Sequence, residues 1–492
     1  MKKQAMNPYL PLGVYIPDGE PHVFGDRVYI FGSHDKEGGD TYCMLDYEFW
    51  SAPVDDLGNW SSKGINFSAS QDPLSIETNR PYLYAPDVCQ GSDGRFYLYY
   101  CLSGEKGQGG YHGPIGVAVC DTPDGKYEFL DHVHYPDGRP CMDFVPFDPA
   151  VINDDGVIRL YYGARYPFDS LPKISQLTMH IVQASMFKKS LKDVKKGVMG
   201  AVHCILEPDM VTILNPPKPI FPASLRGTSM ECRMCIPPRD GQFMEGHGFF
   251  EGASIRKIGS TYYFIYSSAN NHELCYCTSQ YPDRDFVYGG VILSTGDVGY
   301  AGRLPKDRVN NTGTTHGSIE KIGDEWYIFY HRLTHGTDYS RQACAERIVI
   351  LPDGSIPQVQ VTSCGLNGGD LDGIGSYNAT ICCQLTNGKM PHNSNGKHED
   401  MPIISHEGKT HFVQDMTAGT KTVYKYFDLP QTRQLTITAR GEGNLLVHGQ
   451  SQIHVASSSW TAYRIPISGG VHTELILESL SGKMDILELT FQ

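Results

Sequence analysis

The chain has 492 residues and a formal net charge of −14. It is long enough for more than one domain and too acidic to have nucleic acid as its main partner, which needs clustered Lys and Arg. Its 53 glycines, 31 prolines and 30 tyrosines suit short strands and tight turns, and no apolar run approaches the ~20 residues that cross a bilayer. The basic start Met1-Lys2-Lys3 leads into Pro8-Tyr9-Leu10-Pro11 instead of an apolar stretch, so no signal peptide is expected and a cytoplasmic location is. The 14 cysteines lack the close spacing of a disulfide framework and fit a reducing compartment. Cys232-Arg233-Met234-Cys235 is a single CxxC without a second pair, too little for a structural zinc site. Cys275 and Cys277 alternate on an expected strand and are read as packing residues.

One pattern recurs along the chain: a polar or acidic opening, a short strand, a Gly-containing turn, and a strand ending in aromatics. The first unit runs from Asp18-Gly19-Glu20 through Gly25-Asp26 to Tyr29-Ile30-Phe31. The second is Ala85-Pro86-Asp87-Val88 with Phe96-Tyr97-Leu98-Tyr99-Tyr100. The third is Asp148-Pro149-Ala150-Val151-Ile152 with Leu160-Tyr161-Tyr162. The fourth opens at Phe250-Glu251-Gly252, turns at Gly259-Ser260 and continues as Tyr262-Tyr263-Phe264-Ile265-Tyr266. The fifth is His316-Gly317-Ser318-Ile319-Glu320 with Trp326-Tyr327-Ile328-Phe329-Tyr330. Repeated hairpins of this kind predict an all-β, five-bladed β-propeller over residues 1–363.

Arg165 to Gly248 reads as a long insertion on the rim of the propeller, with loops at Pro216-Pro217-Lys218-Pro219 and Pro237-Pro238. From Cys364 a Gly-rich linker gives way to short strand-like pieces at 422–427, 435–439, 463–467, 473–477 and 485–489. They predict a β-sandwich, jelly-roll-like, over residues 364–492.

If each blade's innermost strand begins at its unit start, Asp18, Asp148, Glu251 and His316 face one end of a common axis. Hydrolysis of a glycosidic bond needs an acid for the leaving oxygen and a second carboxylate that activates water or attacks the sugar. Glu251 lies beside Phe249 and Phe250, an apolar flank that raises a carboxyl pKa and suits an acid. Asp18, beside Gly19 and Glu20, reads as more solvated and suits an ionised base. Asp148 would raise or orient Glu251. Taken singly, each of these acids could instead be a turn cap.

Together, Asp18-Gly19-Glu20-Pro21-His22, Phe147-Asp148-Pro149-Ala150, Phe250-Glu251-Gly252-Ala253-Ser254 and Thr315-His316-Gly317-Ser318 resemble glycoside hydrolase family 43. The resemblance implies an inverting mechanism with Asp18 as general base, Asp148 as pKa modulator and Glu251 as general acid. It also implies His316 as the holder of a calcium ion, or of a water, in the central channel; a histidine satisfied by ordinary hydrogen bonds is the other reading. An arginine that contacts sugar hydroxyls in the family is matched by Arg341 or, as second choice, Arg332; a structural ion pair is the alternative for either. His34, Asp35 and His247 flank these motifs and are expected to contact substrate. The chain departs from the family where Gly19, not Pro, follows Asp18. The tail is similar to carbohydrate-binding modules of family 6, with Trp460 and Tyr463 as candidates for stacking on a sugar, but Asp485 stands where that family often has a sugar-binding Asn, and packing against the propeller is the other reading.

The expected activity is release of terminal arabinofuranose or xylose from plant-type oligosaccharides. Another furanoside such as galactofuranose, or a non-catalytic sugar-binding propeller, are the rivals. A retaining fructosidase is disfavoured: Met230-Glu231-Cys232 offers a Glu-Cys pair, but the Asn-Asp-Pro-Asn-Gly and Arg-Asp-Pro signals of that chemistry are missing.

Overall fold

The structure is a computed structural model that describes residues 3–104, 113–164, 173–186, 190–191, 201–221, 247–392 and 401–492. Five antiparallel sheets follow one another along the chain and form the propeller. Their innermost strands are Glu20–Phe24, Tyr82–Gln90, Ala150–Asp154, Phe249–Ile258 and Ile319–Ile322, and each pairs with the strand that follows it. These are the five hairpins expected from the repeated units. Blades I to IV have four strands; blade V has three, ending with Arg341–Ile348.

The aromatic second strands follow from the architecture. A blade is covered on both faces by its neighbours, so its strands read as continuous apolar runs instead of alternating ones. Every residue of Phe96–Ser103 is buried. Each neighbouring pair of blades shares a core. Phe31 and Phe49 of blade I meet Leu98 and Tyr100 of blade II. Tyr263 and Tyr276 of blade IV meet Ile328 and Tyr330 of blade V. Val28 and Ile30 of blade I meet Tyr327 and Phe329 of blade V, which closes the ring. The chain start seals that closure: the Asn7 side chain donates to the Ala345 carbonyl at 2.8 Å and accepts from the Ala345 amide at 2.9 Å.

Two expectations change. The segment after Arg165 is not solely an insertion, because Val202–Leu206 and Ile213–Pro219 are the outer strands of blade III. Pro216, Pro217 and Pro219, read as loop markers, lie in the outermost strand, where missing amide donors disturb no ladder. The segment also holds a helix, Lys173–Met186. Pro237-Pro238, Cys232, Cys235 and Met230-Glu231-Cys232 lie outside the described residues. Among the described residues the cysteines are unbridged, and Cys275 and Cys277 are buried in the core between blades III and IV. No described helix is long and apolar enough to cross a membrane.

The C-terminal sheet wraps around one core, in which Leu435, Ile437, Leu475, Leu477, Ile486 and Leu489 are buried. The short pieces expected there join into long bent strands, Gln434–Val447, Ser451–Pro466 and Thr473–Phe491. The last pairs along one edge with Gln434–Val447 and along the other with Gly375–Asn378, Thr410–Thr417 and Lys421–Asp428. Register shifts interrupt these ladders, and such bulges let one strand bend around a core.

Candidate active site

Residues on the inner strands, or just before them, form hydrogen bonds from blade to blade around the axis. His22 of blade I meets Asp87 of blade II at 2.6 Å, and Asp87 accepts from the Val151 amide of blade III at 2.7 Å. Asp148, just before blade III, accepts from the Gly252 amide of blade IV at 2.9 Å. The Ser254 hydroxyl of blade IV donates to Glu20 of blade I at 3.1 Å and lies 2.6 Å from the hydroxyl of Ser318, before blade V, which can donate to it. Above these bonds opens a cavity of about 380 Å³. Asp18, Asp148, Glu251, His316 and Arg341 all line it, with Tyr42, Tyr84, Phe147 and Phe250 as aromatic walls.

Backbone geometry aims the acids. Asp18 and Asp148 have φ of 57° and 47°, left-handed values that non-glycine residues adopt reluctantly and that cluster where side chains are held for function. Gly252, after Glu251, has φ of 69° and sits where the blade IV hairpin shifts register. A Cβ there would come within 3.2 Å of the His316 ring, so glycine is favoured on both counts.

The electrostatics separate the carboxylates. Asp18 is buried, not solvated as expected, with 6% of its surface exposed. Burial pushes its pKa up, but Arg341 above all, with His316, outweighs that and holds it below the usual carboxylate range. Arg341 is the main counter-charge. Its Nη1 donates to Asp18 Oδ1 at 2.8 Å, while Nε and Nη2 grip both Asp35 oxygens at 2.8 and 2.9 Å. Glu251 is the opposite case: burial first, then the neighbouring Asp148, push its carboxyl well up. Burial also raises Asp148 to about 7, despite His316 and the Gly252 amide. His316 rises to about 9 because Glu20, Asp148 and Asp18 outweigh the cost of burying its charge. The cavity therefore sets a carboxyl held low, Asp18, against one pushed well up, Glu251.

Four expected substrate contacts lie elsewhere. Asp35 does not line the cavity; it stands behind Arg341 and fixes the guanidinium. His34 turns its Nδ1 to the Asp46 carbonyl at 2.9 Å, and the His247 Nδ1 lies 2.5 Å from Glu273. Arg332 is displaced by strand alternation. It pairs with Gln342 while Leu333 pairs with Arg341, so the two arginines take opposite faces of blade V. Arg332 points at the C-terminal domain, donating to the Cys382 and Cys383 carbonyls at 3.0 and 2.8 Å. On that domain, the Arg440 guanidinium covers the Trp460 ring at 4.3 Å, and the Tyr463 hydroxyl accepts from the Ala456 amide.

Sequence reasoning left out Glu20, Asp338 and His331. Glu20 was within reach, since Asp18, Glu20 and His22 alternate into the channel with the period of a strand. Asp338 lines the cavity from a loop that carries no pattern. His331 accepts the Asp18 amide on Nδ1 at 3.2 Å and donates from Nε2 to the Thr314 carbonyl at 2.8 Å. Burial, then Arg341, lower its pKa to about 3, which keeps the ring neutral and fits that tautomer.

Residues 15–356 match the model of glycosyl hydrolases family 43. A xylosidase/arabinosidase of Thermoclostridium stercorarium is 40% identical across 100% of this chain and 99% of its own length. A xylosidase/arabinosidase of Bacteroides ovatus is 29% identical over 66% of this chain and 87% of its own. Among solved structures, a β-xylosidase/α-arabinofuranosidase from a compost microbial metagenome, in complex with xylotriose and in calcium-free form, is 25% identical with a TM-score of 0.52 over 73% of this chain and 99% of that one. The GH43_1 enzyme from Xanthomonas citri complexed with xylose has the same TM-score at 23% identity, covering 73% of this chain and 94% of that one.

Proposed function

The chain belongs to glycosyl hydrolases family 43, and from that membership we propose an inverting exo-glycosidase that releases terminal xylose or arabinofuranose from oligosaccharides. The observation that carries the mechanism is the opposed protonation of Asp18 and Glu251 at one cavity. Glu251 donates its proton to the leaving oxygen while Asp18 takes one from the attacking water, which enters on the far face of the sugar. Asp148 keeps the Glu251 carboxyl raised by like-charge repulsion. Arg341 holds Asp18 ionised and reaches the same cavity, where a sugar hydroxyl can meet it. That two relatives are xylosidase/arabinosidases by name supports a pentose.

A calcium ion in the channel belongs to the same proposal. Glu20 Oε1 and His316 Nε2 are buried without a hydrogen-bond partner among the described residues and lie 3.7 Å apart. Glu20 would hold the ion directly, and His316 would join it only by giving up its ring proton, with waters completing the oxygen-rich shell calcium prefers. Its charge would stabilise the cluster of acids beneath the cavity.

The test is hydrolysis of aryl xyloside, arabinofuranoside and galactofuranoside, with the first-formed anomer followed by NMR, with and without a chelator. Cleavage of a pentoside with inversion is expected, and chelation should lower the thermal midpoint. A retained anomer would remove Asp18 from the role of base. Binding without cleavage would favour a sugar-binding propeller.

His331 gives a sharper check on Asp18. Asn at 331 can keep the acceptor toward the Asp18 amide, and Gln can keep the donor toward Thr314. Each variant loses one hydrogen bond. If alignment of Asp18 is what matters, His331→Gln should lose kcat by about 10-fold or more with KM little changed, a general-base deficit. His331→Asn should stay close to wild type. Equal losses in both would reduce His331 to a packing role.

A further inference from the structure

Asn271 lines the cavity without a part in the proton chemistry. It stands on the turn between the second and third strands of blade IV, Thr261–Ser268 and Glu273–Ser279. Its φ is 60°, a left-handed value that glycine would adopt freely and that asparagine tolerates better than most residues. The side-chain amide has no hydrogen bond to the protein among the described residues. Its Oδ1 is buried, so the nitrogen is the end that the cavity can reach.

The turn is held firmly from below. The buried Glu273 carboxylate accepts from Ser268 Oγ at 2.5 Å and from Asn270 Nδ2 at 2.9 Å, and His247 Nδ1 lies 2.5 Å from it. The Asn271 backbone N–H donates to the Ser268 carbonyl at 2.9 Å, and the His272 carbonyl accepts from the Thr295 amide at 2.8 Å. A side chain on so constrained a turn loses little freedom when it meets a ligand.

Register sets the height of Asn271. Glu251 pairs with Ser267, and the Ala269 amide reaches the Gly248 carbonyl at 2.8 Å. The turn therefore lies beyond Glu251, toward the mouth from which the inner strand descends. The acid marks the position of the leaving oxygen. A group above it faces the leaving sugar, not the terminal pentose between Asp18 and Glu251.

Resting on the glycosidase reading, we propose that Asn271 determines specificity by donating from Nδ2 to a hydroxyl of the sugar on the leaving side of the scissile bond. The site then reads a second sugar, which favours oligosaccharides over glycosides of simple alcohols.

The probes are a pentose disaccharide, xylobiose or arabinobiose, and the cyclohexyl glycoside of the same pentose, whose leaving ring has the size of a sugar and no further hydroxyl. The readout is kcat/KM on the disaccharide divided by kcat/KM on the cyclohexyl glycoside. Asn271→Gly keeps the left-handed backbone and removes the amide. The ratio should fall about 3–10-fold, the range for one neutral hydrogen bond. Damage to the acid strikes the cyclohexyl glycoside at least as hard and cannot mimic that fall. Disaccharides that lack single hydroxyls on the leaving sugar repeat the test on the wild type, so it survives a variant that fails to fold. One analogue should lose a similar factor, and Asn271→Gly should lose nothing more on it. An unchanged ratio in the variant, or wild-type rates undiminished on every deoxy analogue, overturns this inference and leaves the glycosidase reading standing. A wild type that cleaves neither probe overturns both.

Discussion

Glu251→Gln is expected to lower kcat on a disaccharide by about 10²–10⁴-fold, the range for losing a positioned proton donor. The amide keeps the size of the side chain and cannot protonate a leaving oxygen. The deficit should shrink on aryl glycosides whose phenolate leaves unaided, and that contrast separates a lost acid from a damaged pocket. The pH profile gives a second signature. The wild-type rate should fall on the alkaline side as the raised carboxyl of Glu251 loses its proton, and this limb should vanish in the variant. A variant whose activity falls equally on every leaving group and keeps the alkaline limb would assign the acid elsewhere.

Arg341→Met is expected to damage stability and chemistry together. It strands the buried carboxylates of Asp18 and Asp35, which share the one guanidinium. Removing one member of a buried ion pair costs about 3–5 kcal/mol, to be read from denaturant unfolding. The carboxylates can escape by taking up protons. Asp18 would then titrate higher, and since a base works only when ionised, the acid limb of the rate profile should move to higher pH. Arg341→Lys should not restore the wild type, because an ammonium cannot grip both Asp35 oxygens and reach Asp18 as a planar fork does. A lysine variant with an unshifted profile would show that the Asp18 charge is held by other groups.

Much of the architecture was legible because each blade repeats one local device, a strand, a glycine turn and an aromatic strand. The device is local in sequence, so periodicity and turn chemistry suffice to find it. The convergence of Asp18, Asp148 and Glu251 on one cavity was legible for the same reason, as each opens a unit of the repeat. What could not be read depends on register or on partners far along the chain. Arg332 and Arg341 look interchangeable until strand pairing puts them on opposite faces of blade V. Asp18 looked solvated because nothing near it in sequence shows that Arg341 will cover it. The outer strands of blade III were hidden by prolines that an edge position tolerates. His34 and His247 are polar neighbours of the motifs, but their rings turn to local partners instead of the cavity.

The ring is closed by residues from opposite ends of the catalytic region, and this bears on how the protein is made. A ribosome delivers the chain from its start, so blade I emerges with one flank bare. That flank stays bare until blade V is synthesised, since Val28 and Ile30 wait for Tyr327 and Phe329. Contacts of such sequence separation form slowly, and the exposed apolar surface is a hazard for sticking to other chains in the interval. Catalytic competence arrives last as well: Asp18 meets its guanidinium 323 residues downstream. A nascent chain cut short before blade V would carry Asp18, Asp148 and Glu251 but lack Arg341, and is expected to be inactive on sugar.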